Sequence, residues 1–201
     1  MEAIHGELKN MNILKKIKRA FISTYVICII KPIAYLVYEK KYLTGKYFQN
    51  ACDVGWRWVM KGLFFQKVLG FNRDVPWPVS CRCSVGFPHN IFFHPDDLNN
   101  FQGMGIYVQG HGRTFIGHGT WIGPHVGLIT ANHNIEDLDS HCTPKGIEIG
   151  EKCWIGMNSV ILPGVTLGNK TIVGAGAVVT KSFPKGNCII AGNPARIIKE
   201  L

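Results

Sequence analysis

Asn132, His133, Glu136, Asp137, Asp139 and His141 crowd polar and ionisable groups into one short stretch of this chain. An imidazole titrates near neutrality, so a His here could take a proton from a weak nucleophile such as a hydroxyl. A base of this kind works best when a partner holds one ring nitrogen. Glu136, Asp137 and Asp139 are near enough to serve, and so is a backbone carbonyl. A solvated acidic loop would have the same composition, and the sequence does not choose. Metal chemistry is a poorer fit. Cys81 and Cys83 form a CxC pair, but the other five of the seven cysteines are scattered and no CxxC occurs. Reduced, mostly buried thiols in a cytosolic protein are expected. His111, His118, His125 and His133 are spaced by seven and eight. They face different directions on a coil of period six, so no metal site is expected.

The elements that must position this stretch declare themselves by period. Ile149, Ile155, Ile161, Leu167, Val173 and Val179 stand six apart without a break, and Gly150, Gly156, Gly168 and Gly174 follow four of them. A short fixed period means one structural unit stacked on itself. An apolar residue every six, followed by a small one, suits a coil whose flat sides are short β-strands. Ile116, Ile122 and Leu128 carry the same phase upstream. The phase fails between Leu128 and Ile149, which predicts an extruded loop over 131–148, and the polar cluster lies inside it. Loops that leave a solenoid often line its binding face.

The remaining composition bounds partners and location. The formal charge of +9 favours an anionic partner. No aromatic-rich basic motif of a nucleic-acid module is present, so nucleic acid is not expected. Lys9, Lys15, Lys16, Lys18 and Arg19 cluster ahead of the apolar segment 21–38. Lys31-Pro32 is expected to split that segment into two pieces, each too short to cross a bilayer. Two readings stay open: helices packed on the solenoid or a neighbouring subunit, or an interfacial helix at an anionic lipid surface. Residues 1–70 read as a basic, aromatic-rich, helical or irregular extension. In it, the apolar side of an amphipathic helix bearing Trp56, Trp58, Phe64 and Phe65 would cap the solenoid. Residues 71–201 read as the β domain, ending in a basic tail from Arg196.

The run WIGMNSVILPGVTLGNKTIVGAGAVVTK, the close IIAGNPARIIK and the upstream TANHN resemble the hexapeptide-repeat acyltransferases. The nearest branch is the sugar and polysaccharide O-acetyltransferases, related to galactoside and maltose acetyltransferases. The resemblance covers about residues 75–200. It implies a mainly β fold, a left-handed parallel β-helix, assembled as a homotrimer with acetyl-CoA in a groove between adjacent helices. It implies acetyl transfer to a hydroxyl of a sugar or polysaccharide precursor; the cysteines and the basic, apolar N-terminus lead us to expect a location in the cytoplasm or at the inner membrane face. N-transfer to an amino sugar and a non-catalytic trimeric scaffold are the alternatives. By the same resemblance His133 is the general base and the backbone N–H of Met157 the oxyanion donor. Trp154, Gly156, Met157, Gly174, Ala175, Thr180, Lys181, Arg196 and Lys199 bind coenzyme A. Asn100, Gln109, His111, Asn132 and His141 are candidates to line the acceptor pocket. No cysteine stands at a convincing nucleophile position, so direct attack is expected.

Overall fold

The computed structural model describes residues 2–201, with side chains from Ile13 onward. Lys9 of the basic cluster lies outside the residues whose side chains are described. Helix α1 (Glu2–Tyr25) runs through a π-helical turn (Val26–Ile30) directly into α2 (Lys31–Val37). The split expected at Lys31-Pro32 is therefore absent. Lys31 N–H bonds Val26 O, five residues back, so the turn is widened. Pro32 then sits in the first turn of α2, where its missing N–H costs least. Helix α3 (Val54–Gly62) continues into a second π turn (Leu63–Val68). Its Trp56 and Val59 join the core, but Phe64 and Phe65 stay exposed rather than capping the coil. The residue that ties this layer down is Gln66, fully buried. Its amide donates to Asn72 O, Val75 O and Trp77 O, and its carbonyl accepts from Tyr38 Oη and Val79 N. A buried amide with every partner supplied fixes the segment 72–79 over the helices.

The β domain begins with β1 (Ser84–Val85) and β2 (Ile91–Phe93), then β3 (Tyr107–Val108), β4 (Thr114–Ile116), β5 (Trp121–Ile122) and β6 (Gly127–Leu128). After the loop come β7 (Ile147–Ile149), β8 (Trp154–Ile155), β9 (Val160–Ile161), β10 (Thr166–Leu167), β11 (Ile172–Val173) and β12 (Val178–Val179). These strands deal themselves in turn to three sheets. Sheet A is β1-β3-β6-β9-β12 and sheet B is β2-β4-β7-β10. Sheet C runs β5-β8-β11, then β13 (Cys188–Ala191) and β14 (Arg196–Glu200). All pairings are parallel except β13 with β14. The expected basic tail is thus the second strand of an antiparallel hairpin.

The hexad is the register of this coil. Ile155 pairs with Val173 and Ile161 with Val179, each 18 residues on, which is three hexads and one full turn through the three sheets. These apolar residues are buried, and each such side chain contributes roughly 1.5–3 kcal/mol. Across the loop the register survives: Ile116 still pairs with Ile149, now 33 residues on. The loop thus inserts 15 residues without disturbing the stack. It closes earlier than the expected residue 148, because Ile147 is already buried in β7 and faces Thr114.

Candidate active site

The turns between sheets form three corners, and each corner gathers different chemistry. The corner from sheet A to sheet B carries Phe87, Gln109, His111, the loop with His133 and His141, and Thr180 with Lys181. The corner from sheet C to sheet A carries Gly123, Gly156, Met157, Gly174 and Ala175. Residues expected at one site therefore fall on two corners of a single copy.

At the first corner, His133 Nδ1 lies 2.7 Å from Leu138 O. A carbonyl only accepts, so Nδ1 carries the proton and Nε2 is left with its lone pair. The orienting group is a backbone carbonyl. Glu136, Asp137 and Asp139 are exposed and instead shape the loop, with Asp137 accepting from Asp139 N and Ser140 Oγ. A backbone bridge pairs His133 with His141, and their ring centroids lie 4.3 Å apart with the planes tilted by 35°. His141 in turn lies 5.3 Å from His111, whose ring is 4.5 Å from Phe87. The result is a column of Phe87, His111, His141 and His133. Phe87 was not legible as a site residue, because only the fold brings it over His111. It holds the left-handed conformation, φ 34°, which is rare for an aromatic residue and which clusters at functional sites. Cys142 borders the column, but its thiol donates to His133 O rather than meeting the imidazole.

Two acceptor candidates are corrected here. Asn100 is buried, with its amide donating to Thr120 O and its carbonyl accepting from Ile122 N, so it clamps the coil. Gln109 Oε1 accepts from Thr130 N and Ala131 N at 2.8 Å each, so it anchors the root of the extruded loop. Both serve the site by holding its frame. Asn132 is exposed beside His133, with its backbone carbonyl accepting from Cys142 N.

At the second corner, Gly156 is required by close approach. A Cβ there would lie 2.6 Å from both Ala175 N and Val173 O. Gly123 stacks on Gly156 in the same way, and Gly174 meets Ala191. The outcome is a smooth track of small residues, with open space over Gly176. The Met157 N–H has no acceptor among the described residues, while its carbonyl takes Gly176 N–H. Trp154 stands exposed on sheet C, in register with exposed Trp121. Of the cations, Lys181 and Lys199 are exposed and face no acid within ion-pair distance among the described residues. Arg196 is exposed and tethered by Nη1 to Ala195 O.

Two groups with ligand-type atoms fit local hydrogen bonding better than metal. His94, Asp96 and His118 bring their ligand atoms within 4.8 Å of one another. But His94 Nδ1 accepts from Asp96 N, Asp96 Oδ1 accepts from Lys46 N, and His118 Nδ1 donates to buried Asp97. The thiol of buried Cys83 donates to Phe101 O, and burial pushes its pKa up to about 11. It is therefore a neutral thiol at pH 7, not a thiolate ligand.

Comparison with known proteins adds three findings. The family model for bacterial transferase hexapeptide (six repeats) matches residues 146–181, which is the run from β7 to β12. No curated protein sequence matches the chain. Among solved structures the chain is similar to a hexapeptide-repeat acetyltransferase of Vibrio cholerae O1 biovar eltor complexed with acetyl-CoA. Identity is 28% over 60% of this chain and 61% of that one, with a TM-score of 0.46. A galactoside acetyltransferase in complex with coenzyme A is 31% identical over 59% and 62%, with a TM-score of 0.47. A maltose O-acetyltransferase of Clostridium difficile 630 is 27% identical over 59% and 63%, with a TM-score of 0.44. The chain thus spans less than two thirds of the length of each.

Proposed function

We propose that this hexapeptide-repeat protein transfers an acetyl group from acetyl-CoA to a hydroxyl of a sugar or polysaccharide precursor, using His133 as general base. The observation that carries the reading is the tautomer set by Leu138 O, which leaves His133 Nε2 free to accept a proton. Transfer is direct. The acceptor oxygen attacks the thioester carbon as its proton passes to Nε2. The C–S bond then breaks, and the departing sulfur takes that proton back from the imidazolium. The oxyanion that forms needs a fixed donor, and the unpartnered Met157 N–H suits it. The small-residue track from Gly123 to Ala191 suits a narrow pantetheine arm, and the unpaired Lys181 and Lys199 suit its phosphates. The aromatic and imidazole column from Phe87 to His133 offers ring faces to a sugar.

Because base and oxyanion donor lie on different corners, one copy does not complete this site. We read the coil as left-handed and the working unit as a cytoplasmic homotrimer, with each site formed between the A–B corner of one copy and the C–A corner of the next. Coenzyme A release across candidate sugars, with mass spectrometry of the product, identifies the acceptor. His133→Ala should lower kcat by about 10²–10⁴-fold. It should leave the thermal shift produced by acetyl-CoA intact, since a ligand that binds only the folded state raises apparent stability. Undiminished turnover in that variant refutes the assignment of the base.

A further inference from the structure

The N-terminal helix buries one stripe and leaves the rest of its apolar surface uncovered. Within Ile13–Val37 its most apolar 18 residues reach a mean hydropathy of 1.9, and only 17% of them are buried. The buried stripe is Val26, Ile30 and Ala34, four residues apart, which join Trp56 and Val59 of α3 in one core cluster. Exposed apolar side chains along it include Leu14, Ile17, Phe21, Ile27 and Leu36, with Phe21 74% and Leu36 85% exposed. Soluble monomers rarely hold so many apolar side chains of one helix in water.

Charge selects the occupant. Lys15, Lys16, Lys18, Arg19 and Lys31 lie along this helix, and no Asp or Glu occurs between Ile13 and Val37. Lys15 to Arg19 are exposed and face no acid within ion-pair distance among the described residues. A basic stretch with exposed apolar side chains and no acid from Ile13 to Val37 matches an anionic lipid surface. Another protein copy would bring the same positive charges against it.

The packing also selects the posture. By length alone the helix could cross a bilayer. To do so it would have to withdraw Val26, Ile30 and Ala34 from α3. It would also carry Lys31, whose Nζ lies 5.7 Å from the Tyr35 ring and 6.0 Å from Trp56, into hydrocarbon. We propose that the helix Ile13–Val37 lies flat in the interface of an anionic bilayer, with Leu14, Ile17, Phe21 and Leu36 immersed and the folded domain outside. The inference stands independently of the transferase reading.

The test is flotation of the full chain with vesicles of phosphatidylcholine alone or with about one quarter phosphatidylglycerol. The protein is expected to float with the anionic vesicles and to partition onto neutral ones at least about tenfold less. The double substitution Phe21→Ser, Leu36→Ser, at two exposed sites, should cut anionic partitioning by about 100-fold. Subunit number by light scattering and coenzyme A release with a soluble sugar should not change. An N-terminal tag should remain open to protease added outside the vesicles. Failure to float, or flotation that the double variant leaves intact, overturns the proposal. So does a loss of subunits in that variant, which would assign the face to a second copy. Protection of the tag would overturn the flat posture in favour of a spanning one.

Discussion

The division of the site between corners can be tested by mixing two dead copies. His133→Ala removes the base at the A–B corner. Ala175→Trp blocks the small-residue track at the C–A corner. Ala175 is exposed, so an indole there extends into solvent and the fold is expected to survive. Co-expressed with two different tags and purified through both, every trimer contains both variants. Whatever its composition, a cyclic trimer of this kind has one interface that pairs an intact His133 with an intact track. The expected activity is therefore about one third of wild type, against near zero for either parent alone. Acetyl-CoA-dependent thiol release measures it, with light scattering to confirm the assembly. If one copy supplied both halves, no interface would be whole. Mixed assemblies no more active than their parents refute the reasoning.

Three further outcomes follow from the packing. Gln66→Leu strands the Val79 N–H, the Tyr38 hydroxyl and the Trp77 carbonyl in the interior. At roughly 1–3 kcal/mol for each unsatisfied group, a loss of about 3–5 kcal/mol is expected in denaturant titration, and a loss under 1 kcal/mol contradicts the clamp. Gln109→Leu frees Thr130 N and Ala131 N at the loop root. It should lower kcat by about tenfold while costing only about 1–2 kcal/mol of stability, and an unchanged kcat argues against loop anchoring. Cys83 is raised from 9.0 to about 11 in the folded state, so the native protein holds a proton that the unfolded chain releases. Its contribution is complete below pH 9 and drains away as pH climbs to about 11, on the order of 3 kcal/mol. Melting curves over that window should flatten in Cys83→Ala relative to wild type. The buried Tyr38 hydroxyl, also raised by desolvation, acts in the same direction at higher pH.

Much of the coil was legible because its signal is local. A six-residue period needs nothing distant to be seen, and the pairs Ile155–Val173 and Ile161–Val179 are its direct image. The extruded loop was legible for the same reason, as the place where the phase fails. What escaped depends on groups far apart in the chain. Asn100 and Gln109 look like any polar residues near a binding face. That their oxygens accept from Ile122 N and from Thr130 and Ala131 N follows only once the coils are stacked. Pro32 reads as a helix break because the rule assumes a helix interior, whereas a π turn precedes it here and it stands in the first turn of α2.

The period and composition alone established a stacked parallel coil, the point at which it opens, a His in that opening, and an apolar segment over 21–38 that follows a basic cluster. Tertiary structure decided which proton the imidazole carries, through Leu138 O, and which residues share its corner. It also decided which face of the helix stays uncovered, because burial of Val26, Ile30 and Ala34 against α3 leaves Phe21 and Leu36 outward. The difference has one physical cause. Burial of a repeated side chain is written residue by residue, whereas the partner of a lone pair or of a helix face is set by where distant strands and helices come to rest.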